Sequence, residues 1–450
     1  MNPENKLLKE EAAVEQNTLP TRREFVKTAA VAAASLAAGS LISSSRSITA
    51  SAASPRLIKV GWVSPKTGPI SGFAAADDFV LAGVRKAIGD RVVVNGVSHP
   101  VEFIVKDSRS DPNRAAEVAS SLIKSDNVDL IIAAMAPETT NPVADQAELN
   151  GVPCITSGTP WQAYFFGRGG KPDKGFEWTY HFCWGLEDVI TSYLGMWRAV
   201  PTNKVIGALW GNDGDGNAFS DRERGLPPAM QGAGFKLVDP GRFDPQTNDF
   251  SAQISLFKKE NAEILTGNLP PSAFSTFWSQ AAQQGYKPKI CTMAKALLFP
   301  TTLDSLGELG NNLTCELWWN THFPFKSSLT GQLPAELAAQ WEAQTGKQFT
   351  EPIGFQHSLF EVTVDVLRRT KKIDSPESIL EAIRTTDLET IMSRIKFGQP
   401  VKNVCRTPLV GGQWVRTRGK KFMYEFLVVN NDNNKLISVQ APMKPIVYNG

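Results

Sequence analysis

Histidine is scarce in this chain, four residues in 450, and none stands in an H-E-x-x-H arrangement. Zinc-protease chemistry of that kind therefore has no support. No G-x-S-x-G occurs either, which removes the nucleophile elbow of α/β-hydrolases. The cysteines (154, 183, 291, 315 and 405) are few, widely spread and without a C-x-x-C pair. They form no metal cluster, and an odd number in an oxidising compartment leaves at least one unpaired. Charge of one sign is not in excess: 47 basic and 45 acidic residues give +2. That balance argues against nucleic acid or a membrane surface as partner. Beyond the N-terminal segment no run is long and apolar enough to cross a bilayer.

What is present begins with an export pattern. Thr21-Arg22-Arg23-Glu24-Phe25-Val26-Lys27 precedes an uncharged, Ala-rich run from Thr28 to Ser45. "ITASAAS", Ile48 to Ser54, then offers A-x-A-like cleavage points, completing the layout of a secretory signal. Two adjacent arginines before a weakly apolar core resemble a twin-arginine signal, the route for chains moved already folded. The run holds too much Ala and Ser, and is too short, for a membrane span. Residues 1–53 are expected to be a signal peptide cleaved near Ala50 to Ala53, with the twin-arginine export machinery as partner. No cysteine lies near that site, so a lipid anchor is not expected.

About 400 residues remain, too many for one ordinary core and enough for two. Arg56 to Val63 reads as a strand and Ala74 to Ile88 as a helix, with Phe79, Val80, Val84 and Ile88 on one face. Val101–Lys106 is strand-like, and a helix runs from Pro112 through Ile123. Val128–Ala134 is a short continuous apolar run, as in a strand buried on both faces. Asn141–Leu149 reads as a short helix and Pro153–Thr156 as a strand. The cadence restarts at the strand Lys204–Trp210. It continues through the helix Ala218–Gln231, strand Phe235–Val238, helix Phe250–Lys259, strand Ala262–Thr266 and helix Phe274–Gln284. Helices are expected at Ala335–Gln344 and Gly354–Thr370, and a hairpin over Gln413–Val439 turning at "NNDNN". Alternating strands and helices mean parallel sheets with helices on both faces.

Two strand ends are built alike. Ala136-Pro137-Glu138-Thr139-Thr140 follows one, Thr156-Ser157-Gly158-Thr159-Pro160 the next. Open parallel sheets bind ligands beyond the carboxyl ends of their strands. Small residues there let backbone N–H groups face a ligand, the hydroxyls can donate, and a helix N-terminus favours an anion. Lys66-Thr67-Gly68, Ser121-x-x-Lys124 and Ser125-Asp126-Asn127 match three motifs of serine β-lactamases. Their order and spacing argue against such an enzyme: K-T-G comes first instead of last, and the other two abut. "GNDGDGNAFSD", Gly211 to Asp221, fails the calcium-loop template, since Ala218 and Arg224 stand where Gly and Glu are required. It also lacks the Lys-Ser/Thr of a nucleotide loop. Neither catalytic residues, nor a metal, nor a cofactor are indicated.

These residues together resemble a family. "IKVGWVSPKTGPISGF", the stretch from Val101 to Pro160, "VIGALWGNDGDGNAF" and "NDFSAQISLFKKENAEILTGNLPPSAFSTFWSQAAQQGYKPKI" follow in the order found in periplasmic binding proteins of branched-chain amino-acid ABC importers. The likeness implies an α/β protein of two lobes, the type I periplasmic binding fold, each lobe a parallel sheet flanked by helices. It implies residues 54–186 and 321–398 in the N-terminal lobe, and 187–320 and 399–450 in the C-terminal lobe. The protein would lie in the periplasm, close on a small carboxylate and dock on an ABC permease in the inner membrane. The ligand would meet Phe73, Ala136, Pro137, Glu138 and Thr139, then Ser157, Gly158 and Thr159. Trp161, Asp215, Asn268 (or Leu269) and Lys295 would complete the cleft. Two departures bear on the ligand. Ala294-Lys295 stands where amino-acid binders hold the ammonium with an acidic residue, and a buried cation there repels an amine. Pro137 replaces a hydroxyl-bearing residue. A carboxylate without a free amine, aromatic or dicarboxylic, fits best. An amino-acid receptor using Glu138, Asp213 or Asp215, and an amide or urea binder, stay open, with a secreted serine hydrolase the rival from another class. The family's N-lobe disulfide is not expected, because Asp107 and Ala136 stand at its positions.

Overall fold

The computed structural model describes residues 55–244 and 246–448, so the expected signal peptide lies outside it. The chain opens with β1 (Ile58–Ser64), α1 (Asp77–Ile88), β2 (Arg91–Val94), β3 (Val97–Asp107) and α2 (Pro112–Lys124). β4 (Leu130–Ala134), α3 (Pro137–Asn150), β5 (Cys154–Ser157), α4 (Trp161–Phe165) and β6 (Thr179–Phe182) follow. Their strands lie in the order β6-β5-β4-β1-β3-β2, parallel except for the β2–β3 hairpin. Every residue of β4 and β5 is buried, as their unbroken apolar character requires of strands covered on both faces.

The second sheet forms in the same way. After α5 (Leu186–Arg198) come β7 (Val205–Gly211), α6 (Gly214–Phe219), α7 (Leu226–Gly232), β8 (Lys236–Val238) and β9 (Arg242–Phe243). Then follow α8 (Ser251–Lys259), β10 (Ile264–Leu269), α9 (Pro271–Gln283), β11 (Ile290–Lys295), α10 (Pro300–Leu306) and β12 (Thr314–Leu317). The chain returns to the first sheet through α11 (Pro334–Thr345), α12 (Pro352–Arg369) and α13 (Pro376–Arg384). α12 packs Phe360 edge-on against Trp62 of β1, ring centroids 4.9 Å apart. The small hairpin of β13 (Asp387–Glu389) and β14 (Arg394–Lys396) leads to β15 (Val404–Cys405), then β16 (Val410–Arg416) and β17 (Tyr424–Asn430). The second sheet has the order β17-β16-β12-β11-β10-β7-β8, parallel except for β16, which runs antiparallel to both of its neighbours.

The two-sheet α/β architecture is the one expected, and several boundaries differ. α3 starts at Pro137, four residues early, because proline at the first helical position loses no hydrogen bond. The single helix expected over Ala218–Gln231 is two, interrupted before Gly225 and restarted with proline in its first turn. The hairpin turns at residues 417–423, and "NNDNN" follows its second strand. Val404–Cys405 pairs with β6, so the first sheet recruits chain beyond residue 398. All five cysteines are buried and none is in a disulfide.

Gly354 of α12 lies beneath the fully buried Trp319, and a Cβ there would sit 2.3 Å from the indole Cγ. Alanine is the better helix former by about 1 kcal/mol, but overpacking a rigid ring costs about 1–3 kcal/mol. Gly354→Ala is expected to lower stability by up to ~2 kcal/mol, read as a fall in the urea midpoint at unchanged slope.

Candidate functional site

The carboxyl ends of both sheets face a common narrow pocket. This is where an open parallel sheet places a ligand. A wider groove beside Trp278, Tyr286 and Tyr448 is lined by no strand end of the kind that builds the inner pocket.

Ala136, Gly158 and Phe73 form the wall from the first sheet. The backbone there is bent into unusual conformations. Met135 has φ 71°, and Ala136 has φ 64° and ψ 150°, a region glycine normally fills. Gly158 has φ 76°, and a Cβ on it would stand 2.3 Å from Met135 Sδ, so glycine is required. The two loops are bonded to each other: Met135 N–H donates to Ser157 O and Ala136 N–H to Gly158 O, both at 3.1 Å. Behind them His181 Nε2–H donates to the Thr159 carbonyl, and its Nδ1 accepts from the Thr156 hydroxyl, each at 2.8 Å. Burial lowers the His181 pKa to about 3, so the ring stays neutral and keeps this tautomer.

The opposite wall is charged. Asp213 Oδ1 caps α6 by accepting from Gly216 N–H at 2.7 Å, and its Oδ2 accepts from Lys295 Nζ at 3.1 Å. Asp215 Oδ2 lies 2.7 Å from the same Nζ. Burial works against the Lys295 charge, yet Asp215, Glu138 and Asp213 hold its pKa well above the ordinary lysine value. Lys295 itself has φ 62° and ψ −62°. Asn268 closes this side, and the oxygens Asp215 Oδ1 and Asn268 Oδ1 are buried without partners. Trp184 and Trp318 also line the pocket, their ring centroids 5.3 Å apart, with both indole N–H groups unpartnered. Trp318 stacks on Phe73 at 6.0 Å, and its backbone N–H donates to the buried Glu351 carboxylate.

Six of the twelve expected residues line the pocket: Phe73, Ala136, Gly158, Asp215, Asn268 and Lys295. Pro137 packs against Gly214 of α6, and the two Glu138 oxygens are buried and unpartnered nearby. The Ser157 hydroxyl is buried and unpartnered too. Two hydroxyls turn inward instead: Thr139 Oγ1 lies 3.1 Å from Ser108 Oγ, and Thr159 Oγ1 2.9 Å from Thr140 Oγ1. Trp161 does not line the pocket. It packs in the first-sheet core and donates its indole N–H to Glu187 at 3.0 Å. Trp184, just past β6, takes the place expected for it. Lys295 is not the bare cation the sequence suggested, since two aspartates already hold it. Trp318 and Glu316 were missed, although both lie at the end of β12 and the strand-end rule points to them. Ser121, in one of the β-lactamase-like motifs, accepts from Lys106 at the end of α2. Among the described residues no group of three or more His, Cys, Asp or Glu is placed to hold a metal, and no helix is long and apolar enough to span a membrane.

Residues 57–418 match the family model described as periplasmic binding protein. The chain belongs to the periplasmic binding protein family. Solved members share this fold at low identity. A leucine-binding protein from Thermotoga maritima is 20% identical, with TM-score 0.63 over 83% of this chain and 99% of that one. A branched-chain amino-acid binding protein from Streptococcus pneumoniae, solved with isoleucine, is 15% identical with TM-score 0.66 over 83% and 99%. A solute-binding protein of an ABC transporter from Rhodopseudomonas palustris, solved with 3,4-dihydroxybenzoic acid, is 17% identical with TM-score 0.65 over 84% and 98%. No curated protein matches the sequence. Membership of the periplasmic binding protein family places the working protein outside the cytoplasm.

Glu316, at the floor of this periplasmic binding protein's pocket, is fully buried and accepts the Tyr193 O–H at 2.5 Å. Burial raises its pKa to about 7, against an ordinary 4.5. Between those values the unfolded chain loses the proton while the folded one keeps it, so this group's contribution to stability is full below pH 4.5 and is lost as pH rises to 7. Glu316→Gln is expected to remove ~2–3 kcal/mol of that loss, measured as the difference between variant and parent urea stabilities at pH 5 and pH 7.5.

Proposed function

We propose that this chain is the solute-binding component of an ABC importer, exported through a cleaved signal peptide of twin-arginine type. It captures a small carboxylate between its two lobes, residues 54–186 and 321–398 with the β15 segment on one side and the rest on the other, and delivers it to a permease in the inner membrane. It works by binding, without catalysis. One observation carries the reading: strand ends of both sheets converge on one pocket that mixes aromatic rings with unpartnered polar atoms.

A carboxylate head group suits the first wall. The loops at Ala136 and Gly158 are made of small residues, and α3, fourteen residues long, points its N-terminus from there. The indole N–H groups of Trp184 and Trp318 add donors, and Phe73 adds an apolar face. Proteins of the same fold hold isoleucine, 3,4-dihydroxybenzoic acid and 4-hydroxybenzoate, all carboxylates or acids. The amino-acid reading gains from the pairing of Lys295 with Asp213 and Asp215, which removes the repulsion an amine would meet. The hydrolase reading loses ground, because His181 bonds Thr156 and Thr159 and leaves Ser157 without a base.

A melting-shift screen of amino acids, aromatic acids, dicarboxylates and ureas is expected to show stabilisation by carboxylates; stabilisation by ureas alone, or turnover of an ester, would contradict the reading. Closure is testable separately. A Cβ on Gly214 would stand 2.7 Å from Pro137 Cβ across the cleft. Gly214→Ala is expected to weaken the best solute of the screen about tenfold, since overpacking of ~1–3 kcal/mol falls on the closed form, while the free protein melts at or above the parent temperature. Calorimetric titration reads this.

A further inference from the structure

We infer that the protein carries a second ligand site, the groove between the end of α9 and the closing segment Ile446–Tyr448. It takes a single-chain amphiphilic anion, a free fatty carboxylate, with the chain against aromatic rings and the head group at Lys287. The inference goes beyond solute capture between the lobes and does not depend on it, since the groove and the inter-lobe pocket share no lining residue.

The groove measures about 380 Å³, within the ~300–1,000 Å³ typical of small-molecule sites. Trp278 of α9 and Tyr286 of the loop after it line one side, both almost fully buried. Leu309, following α10, and Ile446, Val447 and Tyr448 line the rest. The closing segment is fixed in place: Ile446 N–H donates to Lys289 O and Asn312 Nδ2–H to Pro445 O, both at 2.8 Å. It lies beyond the family match, which ends at residue 418, so one wall of this groove is built from chain outside that match.

The polar atoms of the three rings are already used within the protein. The Trp278 indole N–H donates to Leu309 O at 2.9 Å, Tyr286 O–H to Ala262 O at 2.9 Å and Tyr448 O–H to Pro288 O at 2.7 Å. None of them is left to donate to an occupant, and what the rings offer is apolar surface. Leu309 and Val447 beside them are 38% and 70% exposed. Covering such surface with an apolar chain is favourable in proportion to its area.

Charge decides what the chain must carry. Lys287 Nζ lies 5.7 Å from the Tyr448 ring centroid and, among the described residues, pairs with no carboxylate, whereas Lys289 close by is bonded to Glu263 at 3.0 Å. Glu308, the one carboxylate lining the groove, is engaged by Arg416. A single anionic head group therefore finds one open counter-ion. A second charge on the occupant would lie against the rings or beside Glu308, which disfavours a diacid. A cation would lose Lys287 and meet its repulsion.

The test is calorimetric titration of the mature protein with decanoate, decyltrimethylammonium and sebacate, each below its micelle concentration. Decanoate is expected to saturate one site and to bind about fivefold more tightly than the other two, the scale of an exposed ion pair. No saturable binding of decanoate, or equal binding of the cation or the diacid, would overturn the inference. Two substitutions at exposed positions locate the site, and both variants should melt as the parent does. Ala282→Trp carries a large ring into the groove and should abolish decanoate binding. Lys287→Glu should reverse the order in favour of the cation. Decanoate binding unchanged in Ala282→Trp would place it elsewhere, the inter-lobe pocket included, and sink the inference; an order unchanged in Lys287→Glu would remove the anion class and sink it equally. Retention of the parent, but not of Ala282→Trp, on phosphatidylglycerol vesicles would make the occupant a membrane lipid and contradict a free carboxylate. None of these failures touches the inter-lobe reading, which stands or falls on the melting-shift screen.

Discussion

Lys295 holds its positive charge where almost no water reaches, and the aspartates that make this tolerable come from the loop after β7, two strands away in the sheet. An unpaired ammonium at such depth would give up its proton. With Asp213 and Asp215 beside it the charge persists, and the three side chains become one rigid unit. That unit ties the end of β11 to the start of α6. It also determines which atoms of the second wall remain available, so the chemistry of the pocket is settled by a contact between protein groups.

The backbone is strained at both lips of the same pocket. Ala136 takes a conformation suited to glycine, and Lys295 sits in a tight turn with positive φ. Such residues persist only where the surroundings over-determine them. Here the surroundings are visible: Met135 and Ala136 are bonded to the next loop, whose Thr159 carbonyl is held by His181. On the other side the Lys295 ammonium anchors its own turn. At the pocket, the distortion falls where the chain leaves β4 and β11.

Much of this was readable beforehand, for identifiable reasons. Val128–Ala134 and Lys204–Trp210 announce strands because nothing polar interrupts them, and the tandem loops announce a binding edge because small residues follow both strand ends. The misreadings have physical causes as well. Proline at 137 starts a helix early, and proline near 227 splits one, since its effect depends on position within the turn. Trp161 and Trp184 look alike in sequence; which enters the cleft depends on whether a short helix or a strand end carries it. The state of Lys295 required knowing that a loop eighty residues earlier folds back upon it. β15, two residues long, has too little pattern to be assigned to a sheet.

The five buried thiols bear on when the chain can safely meet an oxidant. An unfolded chain in contact with oxidant would offer five reactive sulfurs, none with a native partner, and any bond formed among them would oppose the final packing. Once the sheets close, Cys154, Cys183, Cys291, Cys315 and Cys405 are hidden from solvent. Assembly in reducing surroundings, followed by passage across the membrane in finished form, would spare the molecule that misoxidation. The paired arginines at 22 and 23 resemble the address for such a passage.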